Sequence, residues 1–315
     1  MKRIPVILFT YNRPELLRQT LESLSANTLA SESDLIVYAD GPKENASDLQ
    51  KQKIQEVRAV IREKQWCKTV TIQESPVNKG LAKSIITGVS AALSKEDTVI
   101  VVEDDVLLSP YFLQYMNDAL NAYSSDTSVF AVGAWTYFTR RDYHKETFFF
   151  RYPDSIAWGT FRRAWDLFEY DAKSLQEKLI SKNKMSAYNG FRNLKYFEPM
   201  LQSYVEGKID SWAIRWTGTC ILHNGLSVFP PVSMVKHMGF DSQGTHEKMR
   251  DYNEDLPLAK EPVLQMNRQI TESKTAFSDW KQFIQENFLH SSSRKVKLMN
   301  RVRENLPKFI HDILF

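Results

Sequence analysis

Apolar, strand-like runs alternate with helical segments through the first 135 residues, and this alternation restricts the chain to an α/β fold before any residue is given a chemical role. Pro5-Val6-Ile7-Leu8-Phe9-Thr10 is an apolar run of the length expected for a strand buried on both faces. Pro14 suits a first helical turn, and Leu16, Leu17, Leu21 and Leu24 recur at helical spacing through Ala26. Leu35 to Ala39 reads as a second strand closing at Asp40-Gly41-Pro42, Ala46 to Glu63 as a polar amphipathic helix, and Val70 to Gln73 as a third strand. Asn78-Lys79-Gly80 opens a helix over Leu81 to Leu93. Thr98 to Val102 is the most β-branched run of the chain and predicts a fourth buried strand, which stops at Glu103-Asp104-Asp105. Ser109-Pro110 has the cap and first-turn proline pattern for a helix over Tyr111 to Tyr123, and Val129 to Trp135 predicts a fifth strand. Repeated βαβ units of this length predict an open, Rossmann-like, mostly parallel sheet flanked by helices.

Beyond Trp135 the alternation fades into aromatic and loop-rich sequence, with a helix expected over Thr160 to Leu167 and another over Leu175 to Lys182. The expected organisation is a nucleotide-binding half over residues 1–135, an acceptor-side half of the same domain over 136–259, and a basic helical C-terminal extension over 260–315. A chain of 315 residues with 43% hydrophobic and 25% charged side chains has enough apolar surface for such a core without covalent staples. The net charge of +3 is too small to argue for nucleic acid. Positive charge gathers instead in residues 291–315, where six basic side chains face two acidic ones. Cys67 and Cys220 are the only cysteines and form no CxxC pair, which predicts neither a zinc cluster nor a disulfide framework and suits a reducing compartment. The apolar run Ile4 to Phe9 is too short for a secretion signal, and no stretch of about 18 apolar residues occurs that would span a membrane. The expectation is a cytoplasmic protein, soluble or peripheral on the cytoplasmic face of the membrane.

Open α/β sheets bind ligands beyond the carboxyl ends of their strands, and Glu103-Asp104-Asp105 falls at such an end. Crowded carboxylates repel unless a cation or donors relieve them, and Mg²⁺ or Mn²⁺ takes oxygen ligands while bridging phosphates. The same triplet also suits a solvated turn. Asp40 ends the second strand and Thr10 to Arg13 leave the first, so three loops would converge on one rim; Asp40-Gly41-Pro42 equally suits a plain turn, and Asn78-Lys79-Gly80 a plain helix entry.

The segments PVILFTYNRPELLRQTLESLSA at 5–26, VVEDD at 101–105 followed by LSPYFLQYM, VGAWTYF at 132–138, AWGTFRRAW at 157–165 and DSWAIRW at 210–216 stand in an order that resembles the nucleotide-sugar glycosyltransferases of the GT-A fold. They resemble in particular bacterial family-2-like transferases and the eukaryotic N-acetylglucosaminyltransferase I group, from about residue 4 to 246. The resemblance implies a nucleotide held by Arg13 and Asp40, with Asp40 facing the base, Asp104 beside the ribose and donor sugar, and Asp105 bound directly to Mn²⁺ or Mg²⁺. Glu103 and His246 join the implied metal set, and Thr10 and Lys83 the donor set. Trp158 and Gly159 would line the donor sugar, and His237 or His246 would serve the metal or the diphosphate. Asp210 matches the catalytic base, although Ser211 departs from the second acidic residue usual there.

The implied reaction is an inverting, metal-dependent transfer from a nucleoside-diphosphate sugar, a UDP-sugar foremost, to a saccharide or lipid-linked saccharide in surface polysaccharide synthesis. Two competing readings are a sugar-phosphate nucleotidyltransferase and a non-catalytic carbohydrate-binding protein. The first would want a glycine-rich loop after the opening strand, and Thr10 to Pro14 contains no glycine. The tail over Ser291 to Phe315 mixes basic and apolar residues in a manner suited to an anionic membrane surface, to packing on the domain or to dimerisation, and Pro307 would interrupt a single helix there.

Overall fold

The computed structural model describes residues 3–138, 146–190, 196–239 and 256–285, so that His246 and the tail over 291–315 lie outside the described residues. One eight-stranded sheet runs through the molecule in the order β3 (Thr69–Glu74), β2 (Asp34–Ala39), β1 (Val6–Thr10), β4 (Thr98–Glu103), β8 (Ala157–Phe161), β6 (Val129–Gly133), β9 (Leu226–Phe229), β7 (Phe148–Phe150). The strands β1 (Val6–Thr10), β2 (Asp34–Ala39), β3 (Thr69–Glu74) and β4 (Thr98–Glu103) form its parallel half. Every residue of β1 is buried because helices cover both faces, whereas β3, at the sheet edge, alternates exposed and half-buried positions. Helices α1 (Pro14–Ser25), α2 (Asp48–Arg62), α3 (Leu81–Leu93) and α4 (Phe112–Ala122) follow the strands in the expected succession. Pro14 opens α1 as expected, while α4 begins at Phe112, so Ser109-Pro110 forms the turn before it; the Ser109 hydroxyl accepts from Tyr111 N at 3.2 Å and donates to the Ala259 carbonyl at 2.7 Å.

The second half departs from the loop-rich picture. Its aromatic segments β6 (Val129–Gly133), β7 (Phe148–Phe150), β8 (Ala157–Phe161) and β9 (Leu226–Phe229) are strands of the same sheet. The helix expected over Thr160 to Leu167 is corrected accordingly: Thr160 and Phe161 end β8, and only Arg162–Trp165 form a short helix, α5. Antiparallel pairing of β8 with both β4 and β6 buries all five of its residues, and this supplies the energy that local helical pattern could not override. The helix expected over Leu175 to Lys182 is α6 (Ala172–Ser181). Then follow α7 (Met185–Tyr188), α8 (Glu198–Val205) and α9 (Trp212–Leu222), the last buried at every position.

A separate two-stranded ribbon joins β5 (Val106–Leu108) to β10 (Val235–His237), with His237 opposite Val106. The C-terminal part starts extended. It bridges to β7 through Phe149 and Glu272, with Arg151 Nε donating to Glu272 at 2.7 Å, before forming α10 (Lys274–Ile284), whose Trp280 stacks on Tyr152 at 4.5 Å.

Candidate active site

The carboxyl ends of β1, β2 and β4 open onto one cleft, where parallel strand order brings three successive loops to the same rim. Thr10, Arg13, Asp40, Glu103, Asp104, Asp105, Asp210 and His237 line it together. The chain therefore collects residues separated by more than two hundred positions into one acidic pocket.

Asp104 is held by β1. Thr10 Oγ1 donates to its Oδ2 at 2.6 Å and Tyr11 N at 3.2 Å. Burial pushes the Asp104 carboxyl up to about 6; the nearby Arg13 charge opposes this and the Asp105 charge adds to it. Asp105 shows the contrary balance. Burial alone would raise it, but His237 and the Arg13 guanidinium outweigh burial and hold it well below the ordinary carboxylate range. Arg13 Nη1 stands 2.5 Å and His237 Nε2 3.3 Å from the same Asp105 oxygen, Oδ2. The other oxygen, Oδ1, is buried without a hydrogen-bond partner among the described residues.

The β5–β10 ribbon makes this meeting possible. Pairing His237 with Val106 sets the imidazole beside the residue that precedes the ribbon, and Met238 N donates to the Asp105 carbonyl at 2.7 Å. Trp135 backs the imidazole at a ring distance of 6.0 Å. Gly239 closes the corner: a Cβ there would lie 2.4 Å from Asp105 Oδ2, so a side chain and this carboxylate position exclude each other.

A divalent cation fits these residues chemically. Asp105 offers a buried oxygen that no described residue satisfies, a guanidinium already neutralises its partner oxygen, and carboxylate with imidazole is a donor pair accepted by Mn²⁺. No group of three or more His, Cys, Asp or Glu is gathered as a metal cage among the described residues. A cation here would thus need ligands beyond those that the described residues gather. Glu103 lines the same cleft and is buried.

Asp40 is a fastener. Its carboxylate accepts from Gly41 N at 2.9 Å, Lys79 N at 2.9 and 3.0 Å, Gly80 N at 3.0 Å and Asn78 Nδ2 at 3.0 Å. These donors fix the 78–80 turn that starts α3, so the end of β2 and the entry of α3 form one rigid wall of the cleft.

Asp210 precedes α9, whose cap is Ser211 accepting from Ile214 N. The Asp210 side chain is 52% exposed, lines the cleft, and lies 3.7 Å from Arg215 Nη2.

Three expected residues do not reach the cleft. Trp158 is wholly buried and stacks on Trp212 at 4.9 Å within a cluster that includes Trp165 and Trp216. Gly159 packs on the other side, where a Cβ would come within 2.9 Å of Leu120 Cδ1 and the Val99 carbonyl. Both are withdrawn because β8 is an interior strand, covered on each face. Lys83 lies exposed on the first turn of α3, where helical spacing points Leu81, Ala82 and Ser84 at the cleft instead. Two residues that strand-end reasoning overlooked are Arg215 and Asp154. The Asp154 carboxylate accepts from the backbone N–H groups of Ala134, Trp135, Ser155 and Ile156, stapling the end of β6 to the start of β8. An acidic residue followed by serine just before a strand was the available signal.

A model of glycosyl transferase family 2 matches residues 6–189, from β1 to just past α7. No curated protein matches the chain. Among solved structures it is similar to glucosyl-3-phosphoglycerate synthase from Mycobacterium tuberculosis in complex with Mg²⁺ and uridine diphosphate, at 14% identity and a TM-score of 0.32, over 53% of this chain and 58% of that chain. It is similar also to S. aureus TarS, at 14% identity and a TM-score of 0.40, over 96% of this chain and 47% of that chain. The chain thus spans little more than half the length of these solved structures, or less. Its mostly parallel sheet with flanking helices is GT-A-like. Since the family model covers more than half of the residues, the chain belongs to glycosyl transferase family 2.

Proposed function

We propose that this glycosyltransferase moves a sugar with inversion from a nucleoside-diphosphate donor, a UDP-sugar foremost, to a hydroxyl of a saccharide or lipid-linked saccharide acceptor, in surface polysaccharide synthesis. The observation that carries the reading is the single cleft shared by Asp105 with His237 on one side and Asp210 on the other. In this reading Asp105 and His237 hold Mn²⁺ or Mg²⁺ together with the donor diphosphate, and Glu103 adds negative charge behind them. When bound, the cation supplies charge neutralisation for the departing nucleoside diphosphate.

The chain's own groups do the rest. Arg13 turns its guanidinium to the phosphates, Thr10 and Asp104 meet the ribose and donor sugar, and Asp40 orients the nucleotide through the wall it fastens. The Asp210 carboxylate accepts the proton of the acceptor hydroxyl as that oxygen bonds to the anomeric carbon, while the carbon–oxygen bond to the diphosphate breaks on the opposite face. One displacement inverts the centre, which suits a cleft in which, among the described residues, Asp210 has the one exposed carboxylate. No described helix is long and apolar enough to cross a membrane. The basic tail over 291–315 is read as a peripheral contact with an anionic bilayer, which co-sedimentation of full-length and tail-deleted protein with anionic vesicles would detect.

General-base action is worth about 10²–10⁴ in rate. Asp210→Asn is therefore expected to lower transfer by that order while leaving nucleotide binding, measured by calorimetry with Mn²⁺, within error of the parent. Undiminished turnover in this variant would remove Asp210 from the reaction.

A further inference from the structure

Arg215 lies on a helix with no exposed residue. The α9 segment is buried from end to end, and the Arg215 side chain is only 6% exposed. Burying a guanidinium is costly unless its donors are paired, and replacing a buried ion pair by well-packed apolar groups is often neutral or stabilising. Its presence here therefore asks for a purpose beyond packing.

Its partners define that purpose. Arg215 Nε donates to the Ser211 carbonyl at 3.0 Å, gripping the backbone one residue after Asp210. Nη1 donates to the Tyr170 carbonyl at 2.9 Å, tying that grip to the loop before α6. Nη2 faces Asp210 Oδ1 at 3.7 Å, within ion-pair range yet longer than a hydrogen bond. The Tyr204 ring of α8 covers the guanidinium at 4.5 Å. One planar fork thus joins the start of α9, the 170 loop and α8, with the remaining nitrogen aimed at the carboxylate in the cleft. Trp212, packed on Trp158, anchors the opposite side of the same segment.

We propose that Arg215 is a positioning residue for glycosyl transfer, holding the Asp210 backbone in register with the cleft and setting a fixed positive charge behind its carboxylate. The inference rests on the reading of Asp210 as the proton acceptor. It makes no claim on donor binding, since Arg215 does not line the cleft. Lysine at 215 would keep the charge but lose the fork, so the two functions separate by substitution.

The experiment is a double-mutant cycle on the full chain. Arg215→Met leaves the Ser211 and Tyr170 carbonyls unpaired and is followed by thermal melting; Arg215→Lys serves as the conservative variant should the methionine protein not fold. Displacing a reacting group by about 1 Å can cost about 100-fold. Arg215→Lys is expected to lower kcat by about 10- to 100-fold with donor KM within about twofold of the parent, the signature of an interaction felt in the transition state. In the Asp210→Asn background the same lysine substitution should cause no further loss. Equal losses in both backgrounds, or a raised donor KM with unchanged kcat, would overturn the proposal and leave Arg215 a packing residue. Failure of the Asp210 reading shows separately, as full activity of the Asp210→Asn single variant.

Discussion

The two walls of the cleft are built differently. The wall that carries Asp105 consists of strand ends: Thr10, Asp40 and Glu103 to Asp105 each sit within a residue or two of β1, β2 or β4, and most of their partners come from the turns that leave those strands, backbone N–H groups for Asp40, the Thr10 hydroxyl for Asp104 and the Arg13 guanidinium for Asp105. The wall that carries Asp210 is the start of a helix, not a strand end. It is held by side chains remote in sequence: Trp158 under Trp212, Arg215 across to Tyr170, and Trp165 and Phe168 stacked at 4.7 Å around the same helix. A site whose Asp105-bearing wall is set by strand ends and whose Asp210-bearing wall is set by aromatic packing should respond to mutation in two distinct ways.

The largest effect is expected from the packed wall. Trp158→Ala removes an entire buried aromatic and should cost about 3–5 kcal/mol of stability, read from denaturant midpoints. If the walls are independent, sub-denaturing conditions will still allow the folded fraction to bind nucleotide with Mn²⁺; loss of binding in folded protein would erase the distinction. Asp154 tests the staple at their border. Burial, opposed by four backbone donors, pushes its carboxyl up to about 6. A folded value above the unfolded one means that its contribution is fully present below about pH 4 and lost as pH rises through about 6, a swing of about 3 kcal/mol. Melting temperatures from pH 4 to 7 should therefore fall in the parent relative to Asp154→Asn, and parallel curves would dismiss the effect.

On the wall that carries Asp105, Gly239→Ala forces a methyl into the space of Asp105 Oδ2. If Asp105 holds the cation as proposed, a perturbation just outside such a ligand commonly costs about 10- to 100-fold in metal affinity, so Mn²⁺-dependent nucleotide binding should weaken by that order with an unchanged melting temperature. The smallest effect compares the walls without mutation. Cys67, pushed up to about 12 by burial, lies just before β3 in the parallel half of the sheet, and Cys220, wholly buried, lies in α9. Neither should react with a thiol reagent at pH 8 in native buffer. With increasing urea Cys220 should open only at the global transition; reaction of Cys220 well before that point would show the packed wall to be the looser one.

Legibility in the sequence follows the same division. The run from Val6 to Thr10, the β-branched Val99 to Val102 and the acidic triplet after it are local patterns, and local patterns place strands, their ends and the loops between them. Trp158 misled because a tryptophan before glycine reads alike whether it lines a sugar or fills a core. Only the insertion of β8 between β4 and β6 distinguishes the cases. The three-residue β7, with its pattern of consecutive phenylalanines, carries too little periodicity to be told from an aromatic loop. Lys83 misled through its position: it is near the cleft in sequence and turned from it by helical geometry.

What the chain's letters determined alone was an α/β domain with carboxylates at one rim, because apolar period and strand-end chemistry are properties of neighbours in sequence. The tertiary structure decided which carboxylates share a cleft and what stands behind each of them. His237 reaches Asp105 through a ribbon between segments 130 residues apart in register, and Asp210 is set by a buried guanidinium and stacked indoles. Such contacts depend on distances across a packed core, and no local pattern encodes a distance between residues that meet only when the chain has folded.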